Sequence, residues 1–402
     1  MHCTYFDAAR CRSCALMGVP YAVQLADKQR RCAAALADIA PGLEWLAPVA
    51  SAESGFRNKA KLVVAGMVGQ VTLGILDEGG RGIDLRECGL YEPGLHELLP
   101  RLAAVVNDLG LEPYDVPSRT GELKHLIVTH SPDGEVMLRL VLRSQKQLAL
   151  VRSRLARVLA ALPEVVVLSV NLQPEHKAVL EGDTEIVLTD RDTLPMRVND
   201  ITLGLRPRSF FQTNTAVASA LYRQAQEWVS SVGPRTVVDL YCGVGGFALH
   251  AAALPHMDPV NVIGVELSPD AIASAQQTTY VLRQTGAVRG RVDFRAADAT
   301  DPSLSDIVGE AVLQQDSLII VNPPRRGIGP DLARWLERSG AASLLYSSCN
   351  VDSLARDLAN LPSYTAERAR LFDMFPQTTH HEVIVQLVRE SDCPAPDSFG
   401  GV

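Results

Sequence analysis

The stretch Thr236-Val237-Val238-Asp239-Leu240-Tyr241-Cys242-Gly243-Val244-Gly245-Gly246-Phe247 decides how this chain folds. Its first six residues are β-rich, glycine dominates the next five, and Phe247-Ala248-Leu249-His250-Ala251-Ala252-Ala253 has helix-forming composition. Buried parallel strands read as short apolar runs, and glycines let the backbone turn sharply and approach a ligand. Strand, glycine turn and helix in this order predict a doubly wound parallel sheet, whose ligands bind beyond the C-terminal ends of its strands.

Working outward, the pattern repeats. Residues 261–267 make a second strand, and Ser268-Pro269-Asp270 supplies an N-cap, a first-turn proline and a first-turn acid for a helix over 271–284, with Gly286 past its end. Further strands are predicted at 292–296, 317–321 and 343–347, then a helix over 354–361 and β-rich runs around 369–372 and 383–388. That is a seven-stranded Rossmann-like α/β domain. The N-terminal half reads differently, as α+β. A helix over 23–39 ends at Pro41-Gly42; strands follow at 61–65, 71–76, 123–129, 136–142, 165–171 and 185–188, with helices near 95–109 and 147–162. The expected division is 1–204 for the N-terminal and central region, 205–390 for the catalytic domain, and 391–402 for a frayed tail.

The 402 residues suffice for two or three domains, and 47% hydrophobic with 21% charged residues is ordinary for a globular protein. Neither a signal peptide nor an apolar stretch long enough to cross a bilayer is legible, so a cytoplasmic protein without membrane contact, acting as a monomer, is expected. The net charge of -8 does not advertise a nucleic-acid binder. Basic groups are nonetheless clustered at Arg57, Lys59 and Lys61, at Arg206 and Arg208, and at Arg325 and Arg326. Solvated surface is the ordinary reading of each; Lys59, Lys61, Arg206 and Arg325 are the candidates for phosphate contacts.

At the glycine turn, a dinucleotide site and a phosphate-cradling loop compete with a nucleoside site. No Lys-Ser or Lys-Thr pair follows the loop, which disfavours the phosphate cradle, and nothing downstream offers hydride chemistry. Glu266 ends the next strand, where a carboxylate accepts hydrogen bonds from both ribose hydroxyls. The loop is therefore read as a site for S-adenosylmethionine.

Asn322-Pro323-Pro324-Arg325-Arg326-Gly327 follows the fourth strand, and Tyr346-Ser347-Ser348-Cys349-Asn350 ends the fifth. A buried cysteine is usually a small hydrophobe. Cys349 instead lies in a polar strand-to-helix turn, where a helix N-terminus favours thiolate, so it is read as a nucleophile. Such a thiolate suits a pyrimidine. Attack at C6 of uracil puts electron density on C5, C5 takes a methyl group, and a base removes the C5 proton so that the thiol leaves. Glu382 in His380-His381-Glu382-Val383 is the candidate base. The two histidines invite a metal reading, but no third ligand has matching spacing. Cys242, inside the glycine turn, is read as a packing residue.

Four more cysteines, Cys3, Cys11, Cys14 and Cys88, form a set of soft ligands, with Cys32 in a helical stretch as the spare. Four thiolates hold zinc or an iron–sulfur cluster, and spacing does not choose.

Phe210-Phe211-Gln212-Thr213-Asn214, Asp239-Leu240-Tyr241-Cys242-Gly243, Asn322-Pro323-Pro324-Arg325-Arg326-Gly327, Ser347-Ser348-Cys349-Asn350 and His381-Glu382, in this order, resemble the RNA uracil-C5 methyltransferase family. The likeness implies a methyltransferase in which Gln212, Tyr241, Glu266 and Asn322 contact S-adenosylmethionine, Cys349 is the nucleophile and Glu382 accepts the proton. Gly55-Phe56-Arg57-Asn58-Lys59-Ala60-Lys61 and the early cysteines extend the resemblance to the bacterial 23S rRNA branch. There it implies a [4Fe-4S] cluster on Cys3, Cys11, Cys14 and Cys88, and a loop or hairpin uridine of 23S rRNA as substrate. Two departures stand out: Gly246 replaces a frequent Asn, and Asn322 a frequent Asp. The competing readings are a tRNA uracil-C5 methyltransferase, a non-catalytic iron–sulfur RNA-binding protein, and, weakest, a DNA amino-methyltransferase, which would want an aromatic after Pro324.

Overall fold

The computed structural model describes every residue except 178, 255–257, 302, 310–315 and 391–402, so the expected tail lies outside the described residues. The chain forms two compact units. One comprises Met1–Tyr21, Ser51–Ala218 and Phe375–Thr379; the other comprises Ala22–Ala50, Ser219–Met374 and the chain from His380 on. This corrects the expected single cut at 204/205. The helix Tyr21–Leu36 buries Cys32 and Leu36 among Val238, Val321, Leu344 and Val385, so an N-terminal segment completes the core of the C-terminal unit.

In that unit the strands are β1 (Glu44–Trp45), β2 (Thr236–Leu240), β3 (Asn261–Glu266), β4 (Val292–Ala296), β5 (Ser317–Val321), β6 (Ser343–Ser348), β7 (Tyr364–Phe372) and β8 (Glu382–Arg389). They lie in the order β1-β7-β8-β6-β5-β2-β3-β4. The sheet thus has eight strands where seven were expected. The extra one, β1, is two residues long and pairs parallel with Arg368 and Ala369, too short to leave a periodic signal. The strands β4-β3-β2-β5-β6 run parallel, and β8 enters antiparallel between β6 and β7. This antiparallel entry carries the start of β8 to the C-terminal end of β6, where Ser348 faces Val383.

Capping chemistry sets the helix starts. Ser268 Oγ accepts from Ala271 N at 3.3 Å and opens the helix Pro269–Gln284. Asn350 Oδ1 accepts from Asp352 N at 3.1 Å and opens Val351–Leu358, directly after Cys349.

The other unit carries a seven-stranded, mainly antiparallel sheet. Its parallel pair joins Val136–Leu142 to Val165–Leu172. The helix Pro93–Leu109 lays Leu95, Leu98, Leu99, Leu102, Val106 and Leu109 into the core beneath it, a spacing of three and four residues. The helix expected over 147–162 is two, Leu148–Ser153 and Leu155–Ala161, interrupted at Arg154, where Ser153 Oγ donates to the Leu150 carbonyl. Among the described residues, no helix is long and apolar enough to cross a membrane.

Candidate active site

The ligand edge of the parallel sheet is built from three loops. After β2, Tyr241 takes the left-handed conformation at φ 62°, followed by Gly243 at 54° and Gly245 at 86°. A side chain in that region costs about 1–2 kcal/mol, which the flanking buried strand must hold in place. A Cβ on Gly243 would meet nothing within 4 Å, so the turn is open on its outer side. One on Gly246 would lie 2.5 Å from the Tyr222 hydroxyl, which explains why glycine stands there. Asp239 is fully buried, accepts from Ala248 N at 2.9 Å, and is pushed up to about 8 by burial, with Glu266 adding to the push. Its Oδ1 has no partner among the described residues. After β3, Glu266 accepts from Gly243 N at 3.2 Å and from Ser268 N at 2.9 Å, which ties the glycine turn to the acidic strand end. An open turn, an orphaned buried carboxylate oxygen and a strand-end carboxylate with lone pairs to spare fit a nucleoside cofactor.

The second and third loops bring Asn322, Arg325, Cys349 and Glu382 together. Glu382 is buried at the start of β8. Its Oε1 accepts from Ser347 Oγ at 2.5 Å and from Asn322 Nδ2 at 3.0 Å. Burial pushes Glu382 up to about 7 against those two hydrogen bonds, so it titrates where a general base is most useful. Asn322 Nδ2 also donates to the Ser347 carbonyl at 3.1 Å. One amide hydrogen is thus spent on the carboxylate and the other on the end of β6, and Oδ1 faces neither. An ionised aspartate at this position could make neither contact.

Cys349 is half-buried at the end of β6. A helix N-terminus follows it, as the sequence predicts, but the thiol is not lowered. Burial, and then the Glu382 charge, raise it, while Arg325 pulls the other way through charge and a hydrogen bond. Behind these loops Asp357 accepts from Ile328 N at 2.9 Å and from Tyr346 Oη at 2.6 Å, and its carboxylate fills the space a Cβ on Gly327 would need. Next to Glu382, His381 Nε2 lies 3.2 Å from Cys32 Sγ, whose thiol burial pushes up to about 12. Lys28 donates to Asp373 at 2.7 Å in a buried ion pair.

Of the residues singled out in the sequence, Tyr241, Glu266, Asn322, Cys349 and Glu382 belong to this unit. Gln212 belongs to the other, where it is buried and its carbonyl accepts from Asn58 Nδ2 at 3.1 Å. Cys3, Cys11, Cys14 and Cys88 belong to that unit as well. No set of three or more His, Cys, Asp or Glu side chains among the described residues is drawn in to metal-binding geometry. The four thiols are nonetheless electrostatic neighbours. Cys14 is raised to about 11 by burial and then by Cys88, Cys11 and Cys3; Cys88 is raised by burial, Cys3 and Cys11. Sequence reasoning passed over Ser347 and gave Arg325 a different task. The available signal was position alone: Ser347 lies two residues before Cys349 and so on the same face of the strand.

An open glycine turn beside a strand-end carboxylate, with a half-buried thiol and a buried carboxylate at neighbouring strand ends, suits carbon-group transfer from a nucleoside cofactor. That places the chain among the S-adenosylmethionine-dependent methyltransferases. A family model described as tRNA (Uracil-5-)-methyltransferase matches residues 177–390. The 23S rRNA (uracil(747)-C(5))-methyltransferase RlmC of Halothiobacillus neapolitanus is 47% identical over 97% of this chain and 100% of its own length. The enzyme of that name from Escherichia coli O127:H6 is 44% identical over 97% and 100%. The solved tRNA (uracil-54, C5)-methyltransferase of Pyrococcus abyssi, in complex with S-adenosyl-L-homocysteine, shares the fold with a TM-score of 0.74. It is 23% identical and the match covers 93% of this chain and 85% of that one. The chain belongs to the RNA uracil-C5 methyltransferase family.

Proposed function

We propose that this protein methylates C5 of a uridine in 23S rRNA, the position numbered 747 in the names of its relatives, with S-adenosylmethionine as methyl donor. The observation that carries the chemistry is the grouping of Cys349, Glu382, Asn322 and Ser347 at one end of β6 and β8. The RNA class rests on relatives at 44–47% identity over nearly the whole chain.

In this reading Cys349 attacks C6 as thiolate, and C5 of the resulting enolate takes the methyl group. Glu382 then removes the C5 proton through Oε2, because Oε1 is held by Ser347 and Asn322. The cofactor supplies an electrophilic methyl on a sulfonium; Glu266, Tyr241, Gln212 and the free carbonyl of Asn322 are its proposed contacts. The target base must leave its stack, so a loop or hairpin uridine is the substrate.

Cys3, Cys11, Cys14 and Cys88 would hold a [4Fe-4S] cluster in a structural role, since methyl transfer moves no electron. The mutual electrostatic coupling of these thiols supports the assignment: metal binding removes the protons that burial and crowding otherwise keep on. Anaerobically prepared protein should contain iron and acid-labile sulfide and absorb brown, and Cys14→Ser should lose all three. Protein with zinc and no iron would refute the cluster.

The test of function supplies labelled S-adenosylmethionine with 23S rRNA fragments and with tRNA. Label recovered as 5-methyluridine from the 23S fragment alone is the expected result. Label in tRNA alone would move the enzyme to the other branch.

A further inference from the structure

We infer that Tyr222 is a cofactor-binding residue whose hydroxyl accepts a hydrogen bond from the α-ammonium group at the amino-acid end of S-adenosylmethionine; this rests on S-adenosylmethionine being the methyl donor.

The helix Thr215–Val232 buries Ala218, Leu221, Tyr222, Ala225, Trp228 and Val229, a spacing of three and four residues that turns one face into core. Tyr222 on that face is clamped by two rings of the helix Gly246–Ala252. It lies edge-on to Phe247 with centroids 4.9 Å apart, and stacks on His250 at 4.8 Å. Held so, its hydroxyl lies against the backbone of Gly246, 2.5 Å from where a Cβ would stand. The phenol oxygen thus fills the space that a side chain at 246, asparagine among them, would take. It does so at the end of the glycine turn.

Packing does not explain the oxygen. Tyr222 is 7% exposed, and its hydroxyl makes no hydrogen bond among the described residues. A buried hydroxyl without a partner costs about 1–3 kcal/mol, and phenylalanine would fill the same space without that cost. A partner that arrives with the ligand accounts for it.

The surroundings decide which part of the ligand that is. Asp239, whose Oδ1 also lacks a partner among the described residues, and Glu382 both act on Tyr222. With burial they keep it a neutral phenol, whose oxygen has lone pairs to offer, and two carboxyl groups favour a cation. Three carbon arms leave the sulfonium: the ribose, the methyl group and the amino-acid chain. The strand order places β2 between β3, which ends in Glu266, and the strands β5, β6 and β8 that lead to Asn322, Cys349 and Glu382. With the ribose on Glu266 and the methyl group directed at the thiol side, the amino-acid end is left to the turn after β2, where Tyr222 and Asp239 stand.

Tyr222→Phe removes the oxygen and keeps both ring contacts. Calorimetry with S-adenosylhomocysteine, which carries the same amino-acid end, should show Kd raised about tenfold or more. Decarboxylated S-adenosylhomocysteine, which keeps the amine, should show the same loss. 5′-Methylthioadenosine, which lacks that end, should bind both proteins within about twofold. Iodoacetamide modification of Cys349 should proceed at the wild-type rate, as expected of an intact thiol loop. An unchanged Kd for S-adenosylhomocysteine would overturn the inference, as would an equal loss with 5′-methylthioadenosine. A loss that vanishes with the decarboxylated ligand would overturn it in favour of the carboxylate. An acid limb of turnover that moves while Kd stays would overturn it in favour of a contact with Glu382. Failure of the unaltered protein to bind S-adenosylhomocysteine would instead overturn the cofactor assignment on which it stands.

Discussion

Cys242 and Cys349 each follow a parallel strand of one sheet, β2 and β6, with β5 between them, and both reach its ligand edge. Their surroundings diverge from there. Cys242 is 6% exposed, its sulfur turns back toward the Gly243 carbonyl, and burial with the Asp239 and Glu266 carboxylates pushes it well above 9. Cys349 is half-buried, and although burial and Glu382 raise it too, Arg325 draws it down. A thiol at the active edge is therefore not by itself a nucleophile. Access, a cation and a carboxylate in the neighbouring loops separate Cys349, the proposed nucleophile, from Cys242.

The comparison breaks most visibly by exchanging the two thiols' roles. Cys349→Ala should lower methyl transfer by about a thousandfold or more, while Cys242→Ala keeps a substantial fraction of the wild-type rate. A filter assay for labelled methyl groups decides it, and the reverse order would undo the distinction. Replacing Glu382, the proposed base, is the next largest effect. Glu382→Gln should slow turnover by about 10²–10⁴ and leave a denaturation-resistant RNA–protein adduct on gels, because the C5 proton stays and sulfur cannot leave.

Acidity follows. Glu382 is raised, so it is protonated and inactive as a base below about 7, and the rate should climb as pH rises through that value. Ser347→Ala removes a hydrogen bond that favours the charged carboxylate and should carry this limb upward by about one unit. A limb that moves downward would mean that Ser347 does not hold the base. The smallest effect sharpens the contrast from the other loop. Gly246→Ala must displace Tyr222, at a cost of about 1–3 kcal/mol, and should weaken S-adenosylhomocysteine binding by calorimetry while Cys349 alkylation stays unchanged.

Much of the catalytic sheet was legible because its strands are short apolar runs closed by turn residues. β4 and β5 match their expected bounds, and Ser268 caps the helix it was expected to cap. The pairing of distant segments was not legible. β1 is too short to carry a pattern, and nothing in residues 22–50 says that Cys32 and Leu36 pack under a sheet made more than 200 residues later. The helix Gly329–Arg338 went unread because Gly329-Pro330 looks like a turn and only four of its residues are buried. In the candidate site, chemistry and resemblance singled out Cys349 and Glu382, which lie at neighbouring ends of β6 and β8. Ser347 was not singled out, since a hydrogen-bond partner depends on which strand lies alongside, and β8 enters antiparallel from the far end of the chain.

The central claim is that Cys349 forms the bond to the pyrimidine. A 23S rRNA fragment carrying 5-fluorouridine at the target position tests it most directly, because fluorine on C5 leaves no proton for Glu382 to remove. Incubation with S-adenosylmethionine, nuclease and protease digestion and mass spectrometry of the trapped peptide should place the methylated fluoropyrimidine on Cys349. Recovery on Cys242 or any other cysteine, or no adduct from enzyme that methylates the matching uridine fragment, would contradict it.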